Sequence, residues 1–167
     1  LAKIPTLKPA FSRDGTVTAA NSSSISDGAA ALVMTRESVA KRLGLTVVAR
    51  IVAHAAHAHE PGLFTTAPVP AIQKVLAKAG WSVADVDLFE VNESFASLML
   101  HYMKHLDVPH SKLNVNGGVI ALGHPMGATG AIMAGVLLDE LERRDLFRGI
   151  VAASGAAGAG SALLIER

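Results

Sequence analysis

The 167-residue chain contains no cysteine. Disulfides, thiolate nucleophiles and thiolate-ligated metals are therefore outside the chemistry it can supply. Aromatic residues are scarce, at 4%, so packing falls to Ala, Gly and the aliphatics. Neither sign of charge dominates: 15 Lys and Arg stand against 14 Asp and Glu, for a formal net charge of +1. That balance gives no electrostatic case for nucleic acid or an anionic membrane as partner. No apolar run is long enough to span a bilayer, and no charged-then-apolar leader opens the chain. A cytoplasmic protein is the expectation. What is present is a chain that is half apolar and only 17% charged. Such proportions suit a well-buried α/β protein with further surface covered by a partner. The opening "LAKIPTLKPAFSRDG" has no initiator Met and reads as a loop from within a longer protein.

Along the chain, "GTVTAANSSSISDG" reads as a possible short strand running into a Ser-rich loop, and residues 29–34 as an apolar strand. "TRESVAKRLG" is a short helix with Thr35 as N-cap, Glu37 in the first turn and Gly44 as stop. "TVVARIVAHAAHA" is rich in β-branched residues and reads as a strand. "TTAPVPAIQKVLAKAGW" carries Pro70 near a helix start and apolar Ile72, Val75 and Leu76 at helical spacing, with Gly80 as stop. "DVDLFEV" is a buried strand, "NESFASLMLHYMKHLD" a helix capped by Asn92, and "ATGAIMAGVLLDELERR" a helix apolar on one side. "RGIVAAS" and "GSALLIER" are strands around a Gly-rich turn. From about residue 46 the alternation argues an α/β unit with a largely parallel sheet and a terminal hairpin. The strand at residues 29–34 precedes this unit and can belong to a different half.

The richest stretch is "GGVIALGHPMGATGA", where His124 sits among glycines just ahead of a helix. A His so placed can serve as a neutral base or oxyanion donor, because helix N–H groups point into the same space. On spacing alone, a loop His that satisfies local carbonyls is an equal reading. The same glycines are not a phosphate loop of the GxxxxGK[ST] kind, since no Lys follows, so a nucleotide site is weakly supported. "VNESF" places Asn92 and Glu93 at the C-terminal end of a strand, where open α/β sheets hold ligands. A plain N-cap for Asn92, and a helix-dipole role for Glu93, are the bland alternatives. "HAAHAHE" brings His54, His57, His59 and Glu60 close in sequence. On a strand His57 and His59 share a face and His54 points away, so packing or surface roles outweigh a metal site. Ser22, Ser23, Ser24 and Ser26 lie in no G-x-S-x-G elbow and read as a hydrogen-bonding loop.

Taken together, four stretches resemble the thiolase family of acetyl-CoA acetyltransferases and 3-ketoacyl-CoA thiolases. "LKPAFSRDGTVTAANSSSISDGAAALVM" is similar to the passage out of the family's loop domain. "VNESFA" resembles its NEAFA box, and "NVNGGVIALGHPMGATGA" its box running from NGG to GHP-x-G-x-(S/T)-G. "ASGAAGAGSALLIE" resembles its C-x-G-G-G-x-G-x-A box. The resemblance implies a thiolase-like C-terminal domain over residues 46–167, a mixed five-stranded sheet covered by helices. Residues 1–45 would be a fragment of the N-terminal half. It implies Claisen condensation of two acetyl-CoA, or thiolytic cleavage of 3-ketoacyl-CoA, with a coenzyme A thioester as substrate and neither metal nor cofactor. His124 matches the histidine that activates a nucleophilic cysteine, which would lie in the N-terminal half. Asn92 matches the residue that holds a water against the developing oxyanion. Phe11, Ala19, Ser23, Phe64, Ser94 and Phe95 would line the acyl-CoA path. Homodimers or homotetramers are implied.

The same resemblance shows departures. Ser154 stands where the family's second catalytic cysteine belongs, and Ser94 replaces an Ala. Ala156 and Ala157 replace glycines, although a backbone N–H at Ala156 can still serve an oxyanion hole. A serine hydroxyl does not ionise near neutral pH as a tuned thiol does. Two readings therefore stand side by side: part of an acyltransferase, or a non-catalytic relative that binds acyl-CoA or a partner.

Overall fold

The computed structural model describes residues 1–167. Its elements in chain order are α1 (Glu37–Leu43), β1 (Arg50–Ala58), α2 (Pro68–Ala79), β2 (Leu88–Val91) and α3 (Ala96–Leu106). There follow α4 (Val119–Leu122), α5 (Met126–Arg143), β3 (Arg148–Gly155) and β4 (Ala159–Glu166). The predicted stops hold: α1 and α2 end on Gly44 and Gly80 in the left-handed conformation, which frees the last carbonyls for capping bonds. Thr35 does not cap α1. The cap position is Arg36, without a side-chain bond, and Glu37 instead pairs with Lys41 one turn on.

The strands form one sheet in the order β1-β4-β3-β2. The expected hairpin is β3–β4, closed where Gly155 pairs with Ala159. The sheet is not largely parallel, however. Only β2–β3 is parallel, whereas β1–β4 and β3–β4 are antiparallel. The short β3–β4 turn forces reversal, and β1 then joins on the outer side of β4. Nor are there five strands: residues 29–34 join no ladder, and Leu32, Val33 and Met34 are 40%, 93% and 70% exposed. A strand exists only where a neighbour takes up its backbone donors and acceptors, and neither edge of the sheet, β1 or β2, pairs with this segment.

Period-2 alternation divides the core between two faces. Phe89, Val91, Ile150, Ala152, Ala162 and Leu164 point to one side, against Ile72 and Val75 of α2 and Leu98 and Tyr102 of α3. Leu88, Val151 and Ile165 point to the other, against Met133, Leu137 and Leu141 of α5. The result is a helix–sheet–helix sandwich in which β2, although last in the sheet order, is buried at all four of its residues, Glu90 included. No helix is long and apolar enough to cross a membrane.

Candidate active site

The parallel strands β2 and β3 end side by side, and the site is assembled beyond their C-terminal ends. Asn92 extends their pairing by one residue, its N–H donating to Ala152 O at 2.9 Å. That bond fixes the backbone, so Asn92 cannot cap α3, which begins four residues later with Phe95 at its cap position. The Asn92 side chain is 3% exposed. Its Nδ2 donates to Ser94 Oγ at 3.3 Å, and its Oδ1 has no hydrogen-bond partner. Ser94 Oγ lies 3.4 Å from Ser154 Oγ at the end of β3.

The Ser-rich loop ties this end to His124. The backbone N–H and hydroxyl of Ser23 both donate to Ser94 O, at 3.2 and 3.4 Å. The next residue, Ser24, accepts the His124 N–H at 2.9 Å through its carbonyl. Isolated bridges pair Ser22 with Phe95 and Ile25 with His124. The loop is therefore a clamp between the two candidate stretches, in agreement with its reading as a hydrogen-bonding loop.

His124 is half-buried, and its Nδ1 lies 2.8 Å from Thr129 Oγ1. Thr129 Oγ1 donates its single proton to Pro125 O at 3.0 Å. The contact with His124 must then run the other way: Nδ1–H donates, and Nε2 carries the free lone pair. Burial pushes the imidazole below its ordinary range, which favours that neutral form. The histidine is thus oriented as a base at Nε2. Thr129, 2% exposed, was not singled out from the sequence. The available signal was a hydroxyl in the first turn of a helix, where it can bond the carbonyl four residues back.

Glu93 does not serve α3. It crosses to the "NVNGG" stretch, where its Oε1 accepts from Asn114 Nδ2 at 3.1 Å and its Oε2 from the Ile120 N–H at 3.2 Å. It thereby holds the N-terminus of α4, the short helix leading to His124. Asn114 in turn acts as a surrogate strand for β2, accepting from Val91 N at 2.7 Å and donating to Val91 O at 2.8 Å. Sequence reasoning missed Asn114. Its sign in the sequence was its place at the head of the "NVNGG" stretch, between Leu113 and Val115. Glu90 was also missed. It is 5% exposed in β2, and burial, with Glu93 and Glu140 nearby, pushes its carboxyl up to about 8.

The remaining candidates lie around this centre. Phe11 and Phe95 meet edge to face with ring centroids 5.8 Å apart. Ala19 is exposed in the turn that Asn21 closes by accepting from Thr18 N at 2.7 Å. Phe64 is half-buried on the 3-10 segment Pro61–Thr66, which Tyr102 holds by donating its hydroxyl to Thr65 O. His59 N–H donates to Gly158 O at 3.1 Å and ties that segment to the β3–β4 turn. Ala156 is exposed in that turn. His57 and His59 do share a face, with rings 5.2 Å apart. No three metal-ligating side chains converge anywhere. A concavity of about 370 Å³ lies behind the site, lined by Glu93, Met99, His110, Asn114 and Arg144, and His124 and Ser154 are not part of it.

Comparison with known proteins identifies the family. Residues 45–167 match the family model "Thiolase, C-terminal domain", and residues 1–38 match "Thiolase, N-terminal domain". The chain is 49% identical over 161 residues to an acetyl-CoA acetyltransferase of Allochromatium vinosum, covering 96% of this chain and 41% of that protein. It superposes on the crystal structure of the Bacillus anthracis acetyl-CoA acetyltransferase with a TM-score of 0.95 at 46% identity, covering 99% of this chain and 42% of the other. Human mitochondrial 3-ketoacyl-CoA thiolase in complex with CoA gives a TM-score of 0.91 at 40% identity, with the same coverage. The chain spans about two-fifths of the length of these relatives.

Proposed function

Because the chain belongs to the thiolase family, we propose that it supplies the proton-handling side of an acyl-CoA acetyltransferase. The nucleophile would come from a cysteine in a preceding half. One observation carries the reading. A neutral His124 with Nε2 free is joined through the Ser23–Ser24 peptide segment to a buried Asn92 whose Oδ1 lacks a donor. In this reaction Nε2 removes the thiol proton of the nucleophile, which attacks the acetyl carbonyl of acetyl-CoA. The CoA thiolate leaves and takes up the proton. A second acetyl-CoA then passes a methyl proton to a base at the position of Ser154, and the enolate attacks the acetyl-enzyme carbonyl, expelling the cysteine thiolate, which recovers that proton as acetoacetyl-CoA leaves. Asn92 Oδ1, holding a water, supports the developing oxyanion together with His124 and the Ala156 N–H. The acyl-CoA reaches the site past Phe11, Ala19, Ser23, Phe64, Ser94 and Phe95. The coenzyme A thioester is the substrate, and no metal or cofactor is needed.

Ser154 divides the two halves of the reaction. Its hydroxyl can hydrogen-bond but cannot take the methyl proton near neutral pH, a deficit of about 10²–10⁴-fold in condensation. Acylation does not call on it. The protein that carries this chain with its preceding half should acetylate from acetyl-CoA and condense poorly. Ser154→Cys should raise acetoacetyl-CoA formation far more than single-turnover acylation, followed by mass spectrometry. His124→Ala should impair both. Full condensation with Ser154 in place would refute its assignment as the proton-transfer position.

A non-catalytic acyl-CoA-binding or partner-binding relative is the second reading. It is favoured by Ser154 together with Ala157, which sits at φ 62° where glycine is at ease. Absence of any acylation, with acetyl-CoA still bound, would select it. The placement in the cytoplasm, in a dimer or tetramer and in fatty-acid metabolism belongs to the same proposal.

A further inference from the structure

Ser94 stands between the two polar groups that matter most at this site. Asn92 Nδ2 is 3.3 Å from its hydroxyl, and Ser154 Oγ is 3.4 Å away. Its carbonyl is held from the other side by the N–H and hydroxyl of Ser23. The Asn92 amide has no other side-chain or backbone partner in the chain, although the residue is 3% exposed.

A carboxamide is nearly symmetric in shape, so its neighbours decide which end faces the ligand. A lone serine hydroxyl would not decide it, since it can donate to Oδ1 as readily as accept from Nδ2. Either hydroxyl of the Ser94–Ser154 pair can donate, and the ambiguity is removed when Ser154 is the acceptor. If the single Ser94 proton goes to Ser154 Oγ, Ser94 offers Asn92 only lone pairs. Nδ2 must then turn toward Ser94 and Oδ1 toward the open site. Ser154, accepting from Ser94, keeps its own O–H for a ligand.

We propose that Ser94 is a positioning residue that sets the orientation of the Asn92 amide, with its hydroxyl proton directed to Ser154. The site thereby presents one fixed acceptor, Asn92 Oδ1, and one fixed donor, the Ser154 O–H. A thioester carbonyl accepts from the donor, and a water or ligand hydroxyl donates to the acceptor. This assignment to an acyl thioester rests on the acyl-transfer reading above, whereas the amide orientation does not.

The test is NMR of the Asn92 side-chain amide in the ¹⁵N-labelled chain, identified by its loss in Asn92→Asp. In the unaltered chain its Nδ2 protons should exchange with water about 10-fold more slowly than in a variant lacking the hydroxyl, the effect of one buried hydrogen bond. Ser94→Ala should abolish that protection, and Ser94→Thr, which keeps the hydroxyl, should restore it. Ser154→Ala adds no bulk and should split the Asn92 resonances into two sets as the amide begins to turn. Unchanged shifts and exchange in Ser94→Ala would overturn the proposal, as would a single unaltered set in Ser154→Ala. Titration with acetyl-CoA separates the two claims. In the protein that carries the preceding half, Ser94→Ala should weaken binding several-fold. If the unaltered protein binds no acetyl-CoA while the NMR pattern is as described, the acyl-transfer reading fails and the positioning role stands.

Discussion

Thr129 has one hydroxyl proton, and Pro125 O receives it. His124 is therefore held through an acceptor that can take only Nδ1–H. Thr129→Val keeps the shape and removes that acceptor. It should lower the acylation rate about 10-fold or more, with Thr129→Ser close to the unaltered protein. Because burial lowers the His124 pKa, the acid limb of a pH–rate profile for acylation should fall below the ordinary value of 6.5. A limb above 6.5 would contradict it. Glu90 poses the opposite case. Its folded pKa is raised to about 8 from 4.5, chiefly by burial and then by Glu93 and Glu140. Between those values the unfolded chain has released the proton and the folded chain retains it. Stability should therefore fall as pH rises from about 4.5 to 8 and then level off. Glu90→Gln should flatten that slope in thermal unfolding across pH 5–9. It should also stabilise the fold at pH 8 by on the order of a few kcal/mol.

The element most exposed to substitution is the β3–β4 turn. Ala157 has φ 62° and Gly158 φ 88°. A left-handed alanine costs about 1 kcal/mol, part of which glycine returns as unfolded-state entropy. Ala157→Gly should therefore stabilise the chain slightly, by up to about 1 kcal/mol in urea unfolding. Ala156 has no positive φ, so of the two alanines only Ala157 strains the turn. Gly158→Ala should destabilise by about 2–3 kcal/mol, since its added Cβ would run into His59 O as well as meeting the unfavourable φ. It should also loosen the segment carrying Phe64, which the His59–Gly158 bond anchors. Helix α5 plays the contrasting part. Its apolar side docks on the sheet through Met133, Leu137 and Leu141, while its last turns carry Glu140 bound to Arg143 and Arg144. The Arg143 guanidinium, followed by Arg144 and Asn116, keeps that carboxyl ionised, down to about 2.

At the scale of the molecule, the accessible surface is 10,030 Å² for 17.3 kDa. A compact monomer of that mass would expose about 7,800 Å². The excess is concentrated in apolar residues before the sheet: Ile25 is 89% exposed, Val33 93%, Met34 70% and Val48 68%. Such side chains in water favour association. The isolated chain should self-associate, or bind a separately expressed preceding half, in light scattering at tens of micromolar. A stable 17.3 kDa monomer that ignores such a half would count against this.

The sequence by itself determined the features that depend on neighbours in the chain. The helix stops at Gly44 and Gly80, the two-faced strands, the β3–β4 hairpin and the order of the four family boxes were all legible there. So was the absence of any thiol, because composition alone excludes it. The tertiary structure decided what depends on residues far apart. It showed residues 29–34 to be without a sheet neighbour and the sheet to be mostly antiparallel. It moved Asn92 from helix cap to buried amide, through a bond to Ala152, and sent Glu93 across to α4. It also revealed the roles of Thr129, Asn114 and Glu90: the Thr129 hydroxyl beside the His124 ring, the Asn114 amide against Val91, and the Glu90 carboxyl buried in the sheet. Ser94 and Ser154 are 60 positions apart and touch only because β2 and β3 run parallel and end together. Local periodicity sets which residues form a strand or helix, but a hydrogen-bond partner or a buried charge is set by whatever the completed packing brings within about 3 Å.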